Sequence, residues 1–163
     1  MFCVECGAPL TLMFAAGEGL IPYCKSCGEF RFPQFSAAVS MVVTNRAKDK
    51  ILLARNVGQD EFVLFAGYIK KGETAEKAVV REFKEETTLN TVKAKYMSSR
   101  YHEPRNVLML NFLMIAEDGE ITIDTKELDE AKWFTPAEAL DAIKKNSIAE
   151  TFLKNALVEI KKF

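Results

Sequence analysis

Short apolar runs recur along most of the chain, and each is cut off by a polar or glycine-bearing stretch. "SAAVSMVVT" (36–44) and "KILLAR" (50–55) lie on either side of a turn rich in Asn, Lys and Asp, and predict two buried strands. "EFVLFAGYI" (61–69) predicts a third, running into the glycine-punctuated loop "GYIKKGET". From Ala75 the period becomes helical, with Thr74 as N-cap. "TVKAKYMSS" (91–99) and "NVLMLNFLMIAE" (106–117) predict strands separated by an irregular "RYHEPR". An acidic loop, "EDGEITIDTKELDE" (117–130), leads to a short strand "AKWF", where Trp133 reads as core. Capping boxes at Thr135-Pro136-Ala137-Glu138 and Ser147-Ile148-Ala149-Glu150 open two C-terminal helices. Strands interleaved with a few helices, without repeats, predict an α/β sandwich with a mixed sheet.

The helix from Ala75 carries an anomaly in "REFKEETTL" (81–89). With Ala75 at zero and about 100° per residue, Val79, Phe83 and Ala78 fall at about 40°, 80° and 300° and define an apolar face. Glu86 and Glu82 fall inside that face at about 20° and 340°, with Glu85 beside them at about 280°. Lys77, Lys84, Thr87 and Glu76 take the opposite side, where solvent is expected. Carboxylates on a buried stripe cost several kcal/mol each unless something positive compensates them. Acids at i, i+3 and i+4 converge as hard-cation ligands do. A buried salt-bridge network or a mis-phased helix would explain the same spacing.

All four cysteines lie in the first 27 residues, as "CVEC" and "CKSC", each pair followed by a glycine. Cys3, Cys6, Cys24 and Cys27 have the spacing of a tetrahedral zinc ribbon, and four thiolates leave no open position, so such a zinc is structural. Two disulfides, a redox pair or an iron–sulfur centre are the alternatives. Within residues 1–35, Lys25 and Arg31 stand against Glu5, Glu18 and Glu29, where a ribbon that grips nucleic acid would be basic. With Pro33 holding "RFPQF" extended, a ribbon at 1–33 would precede a body at 34–163.

The 163 residues carry 48% hydrophobic and 28% charged residues, which suits one globular domain with a small appendage. A net charge of −1 projects no basic field toward nucleic acid or acidic membrane. No apolar run approaches the ~18 residues of a membrane span, and the N-terminus does not read as a signal peptide. The expected compartment is therefore the cytoplasm, where disulfides are disfavoured.

Residues 67–89, "GYIKKGETAEKAVVREFKEETTL", resemble the Nudix box, G-x5-E-x7-R-E-U-x-E-E-x-G-U, where U is bulky and apolar. Gly67, Glu73, Arg81, Glu82, Phe83, Glu85, Glu86 and Leu89 all match at the required intervals. Thr88 stands where the family has glycine. A β-branched residue resists positive φ, so the helix end is expected to shift, with Asn90 taking the left-handed position. The four-cysteine ribbon, Phe32-Pro33, "FAGYIKKGET" and "DTKELDEAKWF" are similar to the NADH pyrophosphatase branch, which adds an N-terminal domain expected to be lacking here. That branch carries SQPWPFPxS where this chain reads "SRYHEPRNV" (99–107), a departure that bears on NADH specificity.

The resemblance implies a Nudix-type α/β/α sandwich behind a structural zinc. It implies Mg²⁺ or Mn²⁺ held by Glu82, Glu86, Glu127 and the Ala66 carbonyl. Glu85 would accept a proton from water or bind a second cation, and Arg81 would orient a box glutamate, Glu73, through a two-pronged pair. Gly67 and Gly72 would let the loop backbone pass close to metal and phosphate. Phe32 and Tyr68 match aromatics that clamp a base across a dimer interface, which implies a homodimer. Arg100 and Arg105 could hold phosphates, and Tyr101 or His102, the only histidine, could line the base pocket; a solvated loop is the alternative. The reaction implied is hydrolysis of an X-diphosphate-nucleoside, such as NAD(H), ADP-ribose, a nucleotide sugar or the NAD cap of an RNA, to two monophosphates. The rival is a Nudix-derived nucleotide sensor or a zinc-ribbon interaction module that does not cleave; the complete set of box acids argues against the sensor.

Overall fold

Two cysteine knuckles frame an antiparallel sheet of three strands, β1 (Thr11–Ala15), β2 (Gly19–Cys24) and β3 (Glu29–Phe30), in that order. In each knuckle the glycine N–H closes back onto the first cysteine's carbonyl, Gly7 to Cys3 and Gly28 to Cys24, both at 2.8 Å. These closures need φ near +73° and +75°, which glycine adopts without strain. The computed structural model describes Met1–Phe163 and divides into two compact units, Met1–Phe35 and Ser36–Phe163.

The second unit is built around β4 (Ser36–Thr44), buried from Ala38 to its end. Its partners are β5 (Ile51–Asn56), β6 (Phe65–Tyr68), β7 (Thr91–His102), β8 (Val107–Ala116) and β9 (Leu128–Phe134), in the order β7-β8-β4-β5-β9 with β6 also on β4. One edge of β4 runs parallel to β8 along its whole length, from Ser36 opposite Val107 to Thr44 opposite Ile115. The other edge is shared: Ala38–Met41 pair with β6, and Val43–Thr44 with β5. All ladders but β4–β8 are antiparallel, so the sheet is mixed.

Strand alternation sends side chains to two cores. Val39, Met41, Val43, Leu52, Phe112 and Met114 meet helix α1 (Ala75–Thr87) through Ala78, Val79 and Phe83, and Phe83 stands edge-on to Phe65 with ring centres 5.9 Å apart. Val42, Ile51, Leu53, Leu113 and Ile115 meet α2 (Pro136–Ala142) and α3 (Ile148–Glu159) through Ala139, Phe152, Leu153 and Ala156. The result is an α/β/α sandwich. Trp133 packs half-buried against the α1 core.

Four local expectations are corrected. Thr87 is fully buried instead of facing solvent, because its hydroxyl donates to the Phe83 carbonyl at 2.6 Å and accepts from Leu89 N–H. Thr88 itself takes the left-handed position, with φ of 61°, and its N–H closes onto Lys84 O, so the helix does not run on to Asn90. "RYHEPR" is irregular only at Glu103–Arg105, a 3-10 turn, because Arg100, Tyr101 and His102 continue the ladder opposite Met109, Leu108 and Val107. The second capping box is half-formed: Ser147 accepts from Glu150 N–H, but Glu150 reaches back to Asn146 N–H. The box at Thr135 has both of its bonds.

Candidate active site

Helix α1 begins where the Thr74 hydroxyl accepts from Lys77 N–H, and this start sets the phase that turns its acids toward the sheet. Arg81 takes most of them. Its Nε and Nη2 donate to both oxygens of Glu73 at 2.7 and 2.8 Å, while Nη1 donates to Glu82 at 2.7 Å and Glu85 at 3.0 Å. Nη2 also reaches the Tyr68 carbonyl at 3.1 Å, tying the helix to β6. The two-pronged pair, with Lys70 N–H donating to the same carboxylate, pulls Glu73 down to about 2. Lys70 approaches Glu85 at 3.8 Å on the solvent side.

Glu86 has no share in this network. It is 5% exposed, and its carboxyl group forms no ion pair. Burial pushes it up to about 8, and the neighbouring charges of Glu127, Glu82, Glu85 and Asp124 push the same way. A desolvated carboxyl group whose charged neighbours are all carboxylates suits a bound cation better than a structural ion pair. The donor chemistry, all oxygen and mostly anionic, fits a hard divalent ion.

Glu127 reaches this region because the acidic loop is stitched to the end of α1. Thr122 N–H and Asp124 N–H donate to the carbonyls of Thr87 and Glu86 at 3.3 Å, and Asp124 O then accepts from Glu127 and Leu128 N–H. The loop thereby satisfies helix-end carbonyls that would otherwise lack partners. Val57 N–H holds the Glu127 carbonyl from the other side at 3.0 Å. Glu86, Glu127 and Ala66 line one cavity of about 230 Å³, together with Asn56, Leu64, Phe65 and Leu128. Glu82 lies outside that lining. It rests on Gly67, where an added Cβ would sit 2.0 Å from the Glu82 Cδ, so glycine is required for close approach and not for its backbone angle. Gly72 is the residue with positive φ, 82°.

The remaining candidates separate. Tyr68, Ala38, Met109 and Arg100 stand side by side across β6, β4, β8 and β7. At about 4.8 Å per strand, the Tyr68 and Arg100 positions share one face roughly 14 Å apart. Tyr101, one residue on, belongs to the other face, and its hydroxyl bonds Asn106. Arg105 ends the 3-10 turn and His102 is half-buried. Phe32 belongs to the first unit, is about half exposed, and lines a cavity of about 320 Å³ there with Phe2, Val4 and Pro22. Asn56 was not legible as a site residue, since nothing distinguishes it in sequence from an ordinary asparagine at a turn.

The four cysteine sulfurs lie within 4.8 Å of one another. Cys3–Cys27 and Cys6–Cys24 are 3.9 and 3.5 Å apart, too long for disulfides and close to the ~3.8 Å edge of a ZnS₄ tetrahedron. Cys27 N–H donates to Cys24 Sγ at 3.4 Å. Arg31 Nε donates to Cys3 Sγ at 3.3 Å and is the main cause that lowers that thiol to about 6. The cluster fits zinc.

No helix is long and apolar enough to cross a membrane. The chain is 33% identical over 163 residues to the NAD-capped RNA hydrolase NudC of Photobacterium profundum, an alignment spanning 98% of this chain and 59% of that protein. It is 36% identical over 135 residues to the Salmonella typhi protein of the same description, spanning 82% and 51%. The chain thus spans between 51% and 59% of the length of these curated relatives. Among solved structures, a NUDIX hydrolase from Nitrosomonas europaea superposes with a TM-score of 0.70 at 19% identity, over 97% of this chain and 90% of that one. The NUDIX domain of Shewanella oneidensis NrtR, complexed with ADP ribose, does so at 0.63 and 16%, over 86% and 92%. Identities this low speak for the fold alone. The NUDIX domain model matches residues 34–156, most of the sequence, and the chain belongs to the NUDIX family.

Proposed function

We propose that this protein hydrolyses the diphosphate linkage of a nucleoside diphosphate joined to a second group, with NAD(H), ADP-ribose and the NAD cap of an RNA as the substrates to test first. The observation that carries this reading is Glu86: a buried carboxyl group at a cavity, shared with Glu127 and Ala66, that no cation of the protein reaches. Glu82, Glu86, Glu127 and the Ala66 carbonyl would hold Mg²⁺ or Mn²⁺, which when bound screens the diphosphate and makes water a better nucleophile. Arg81 positions the acids by fixing Glu73, Glu82 and Glu85 around one guanidinium. Glu85, about half exposed on the rim of this group, is the acid placed to accept a proton from the attacking water. Tyr68 offers an exposed ring for a base, and Arg100 a cation on the same sheet face for an anionic group of the substrate.

The relatives' description as NAD-capped RNA hydrolases supports a nicotinamide-bearing substrate, while "SRYHEPRNV" in place of SQPWPFPxS supports a broader or altered preference. Zinc at the four cysteines is a structural element of the ribbon, residues 1–33, ahead of the hydrolase domain, 34–163. A cytoplasmic homodimer in which Phe32 serves as a base clamp completes the reading, on the resemblance alone; light scattering that returns an 18.3 kDa monomer at high micromolar concentration would remove this part. The experiment that tests the whole is a metal-dependent hydrolysis screen over dinucleotides, ADP-ribose, nucleotide sugars and NAD-capped RNA. Metal-dependent release of two monophosphates from at least one of them is the expected result. Binding of ADP-ribose without turnover of any of them would replace this reading with a nucleotide sensor.

A further inference from the structure

The β5–β9 ladder has a bulge on the β9 side: Arg55 pairs with Glu130 and Asn56 with Leu128, which leaves Asp129 as the extra residue. Asn56, the last residue of β5, stands opposite this bulge and lines the cavity that Glu86 and Glu127 share. Asn56 is also the first residue of a turn, its carbonyl accepting from Gln59 N–H at 3.0 Å. Asparagine is common at that position because its side chain can bond the backbone two residues on. That bond is not made here; Asn56 is exposed and its side-chain amide, with no partner in the protein, is open to solvent and to a ligand at the mouth of the cavity. The position is held tightly, because the next residue, Val57, donates to the carbonyl of Glu127.

The chemistry of the wall says what a free amide does there. The other polar side chains lining the cavity are two carboxylates, which repel phosphate oxygens. Leu64, Phe65 and Leu128 offer no donor. With Glu86 and Glu127 ionised, as they would be around a bound cation, the NH₂ of Asn56 is the one side-chain donor in the lining, and a non-bridging phosphate oxygen is the acceptor that a diphosphate presents. We propose that Asn56 is a substrate-contacting residue of this cavity, its side-chain amide donating to a phosphoryl oxygen of the bound diphosphate. The proposal rests on the cavity being the diphosphate site.

The test is calorimetric binding of the non-hydrolysable α,β-methylene analogue of ADP-ribose in the presence of Mg²⁺, for the unmodified chain, Asn56→Ala and Asn56→Asp. Asn56→Ala is expected to weaken binding about tenfold, the loss of one hydrogen bond to a charged group, and Asn56→Asp to weaken it further by adding a third carboxylate. Where the chain turns over ADP-ribose, KM rises by the same factor, while kcat and the Mg²⁺ concentration for half-maximal rate stay within about twofold. Equal affinity of Asn56→Ala and the unmodified chain overturns the proposal and leaves the hydrolase reading standing. A changed Mg²⁺ requirement at constant analogue affinity also overturns it, since the amide would then serve the cation. Binding without turnover of any diphosphate in the substrate screen, still weakened by Asn56→Ala, removes hydrolysis and keeps the contact; failure of the unmodified chain to bind the analogue overturns the contact and leaves the hydrolase reading to that screen.

Discussion

Replacing Glu86 with glutamine should destroy turnover and, at the same time, stabilise the cation-free protein. The carboxyl group is 5% exposed and faced by Glu127, Glu82, Glu85 and Asp124, and burial with those charges raises it to about 8. A folded state that holds a proton which the unfolded chain has already released loses stability as pH rises. The loss begins near the ordinary carboxylate value of 4.5 and is complete above about 8. At pH 7 the interval amounts to about 2.5 units, or roughly 3 kcal/mol at ~1.4 kcal/mol per unit. Glutamine keeps the volume and carries no charge. In buffer without added Mg²⁺ or Mn²⁺, Glu86→Gln should therefore raise Tm by roughly 6–12 °C at pH 7, and its stability should no longer fall between about pH 4.5 and 8. Added Mg²⁺ should stabilise the unmodified chain and have little effect on the variant. At saturating Mg²⁺, kcat should drop at least ~100-fold, because an interaction that strengthens with transition-state charge is lost. Calorimetric melting with and without Mg²⁺, beside steady-state kinetics, reads all of this. Exposed Glu76→Gln is the control and should change neither. Near-normal kcat in Glu86→Gln, or a lower cation-free Tm, would show that Glu86 is a structural partner and that the site is misassigned.

Three further outcomes follow from individual residues. Gly67→Ala should leave the fold intact but cut kcat by roughly 10- to 100-fold, because the new methyl would meet Glu82 at 2.0 Å and push that side chain away; circular dichroism beside kinetics checks both halves. Thr88→Gly should stabilise the chain by about 1 kcal/mol without affecting activity, since Thr88 holds a φ of 61° at an exposed helix end; a lower melting temperature would contradict the strain. Elemental analysis of protein purified without chelator should find one zinc per chain, and Cys24→Ser should lose it together with the protease resistance of residues 1–35, while stoichiometric zinc in that variant would count against the four-thiolate site.

Much of this protein is readable from local pattern because the features concerned are themselves local. The apolar run "SAAVSMVVT" marks a buried strand on sight, and the helical period of residues 75–86 puts Glu82 and Glu86 on the face toward the sheet. The cysteine spacing fixes which residues can share one ion, since two tight knuckles need only a glycine each. The spacing could not say which acid would find a positive partner. The fold gives Arg81 the acids Glu73, Glu82 and Glu85 and leaves Glu86 unpaired. The same holds for Thr87, whose polar side chain satisfies itself against the helix and so tolerates burial. It holds for Thr88, where the loop from Thr122 to Asp124 engages the last helical carbonyls and the helix stops despite the strain. Tyr101 and Arg100 are neighbours in sequence that the pleat sends to opposite faces, and Asn56 comes to the cavity beside Leu128, its ladder partner some 70 positions away. Periodicity is set by bonds within a few residues, so sequence alone determined most of the elements and the main faces of α1, though not their ends. Charge pairing, burial of a polar group and the lining of a cavity are set by which distant strands lie side by side, and only the tertiary structure decided those.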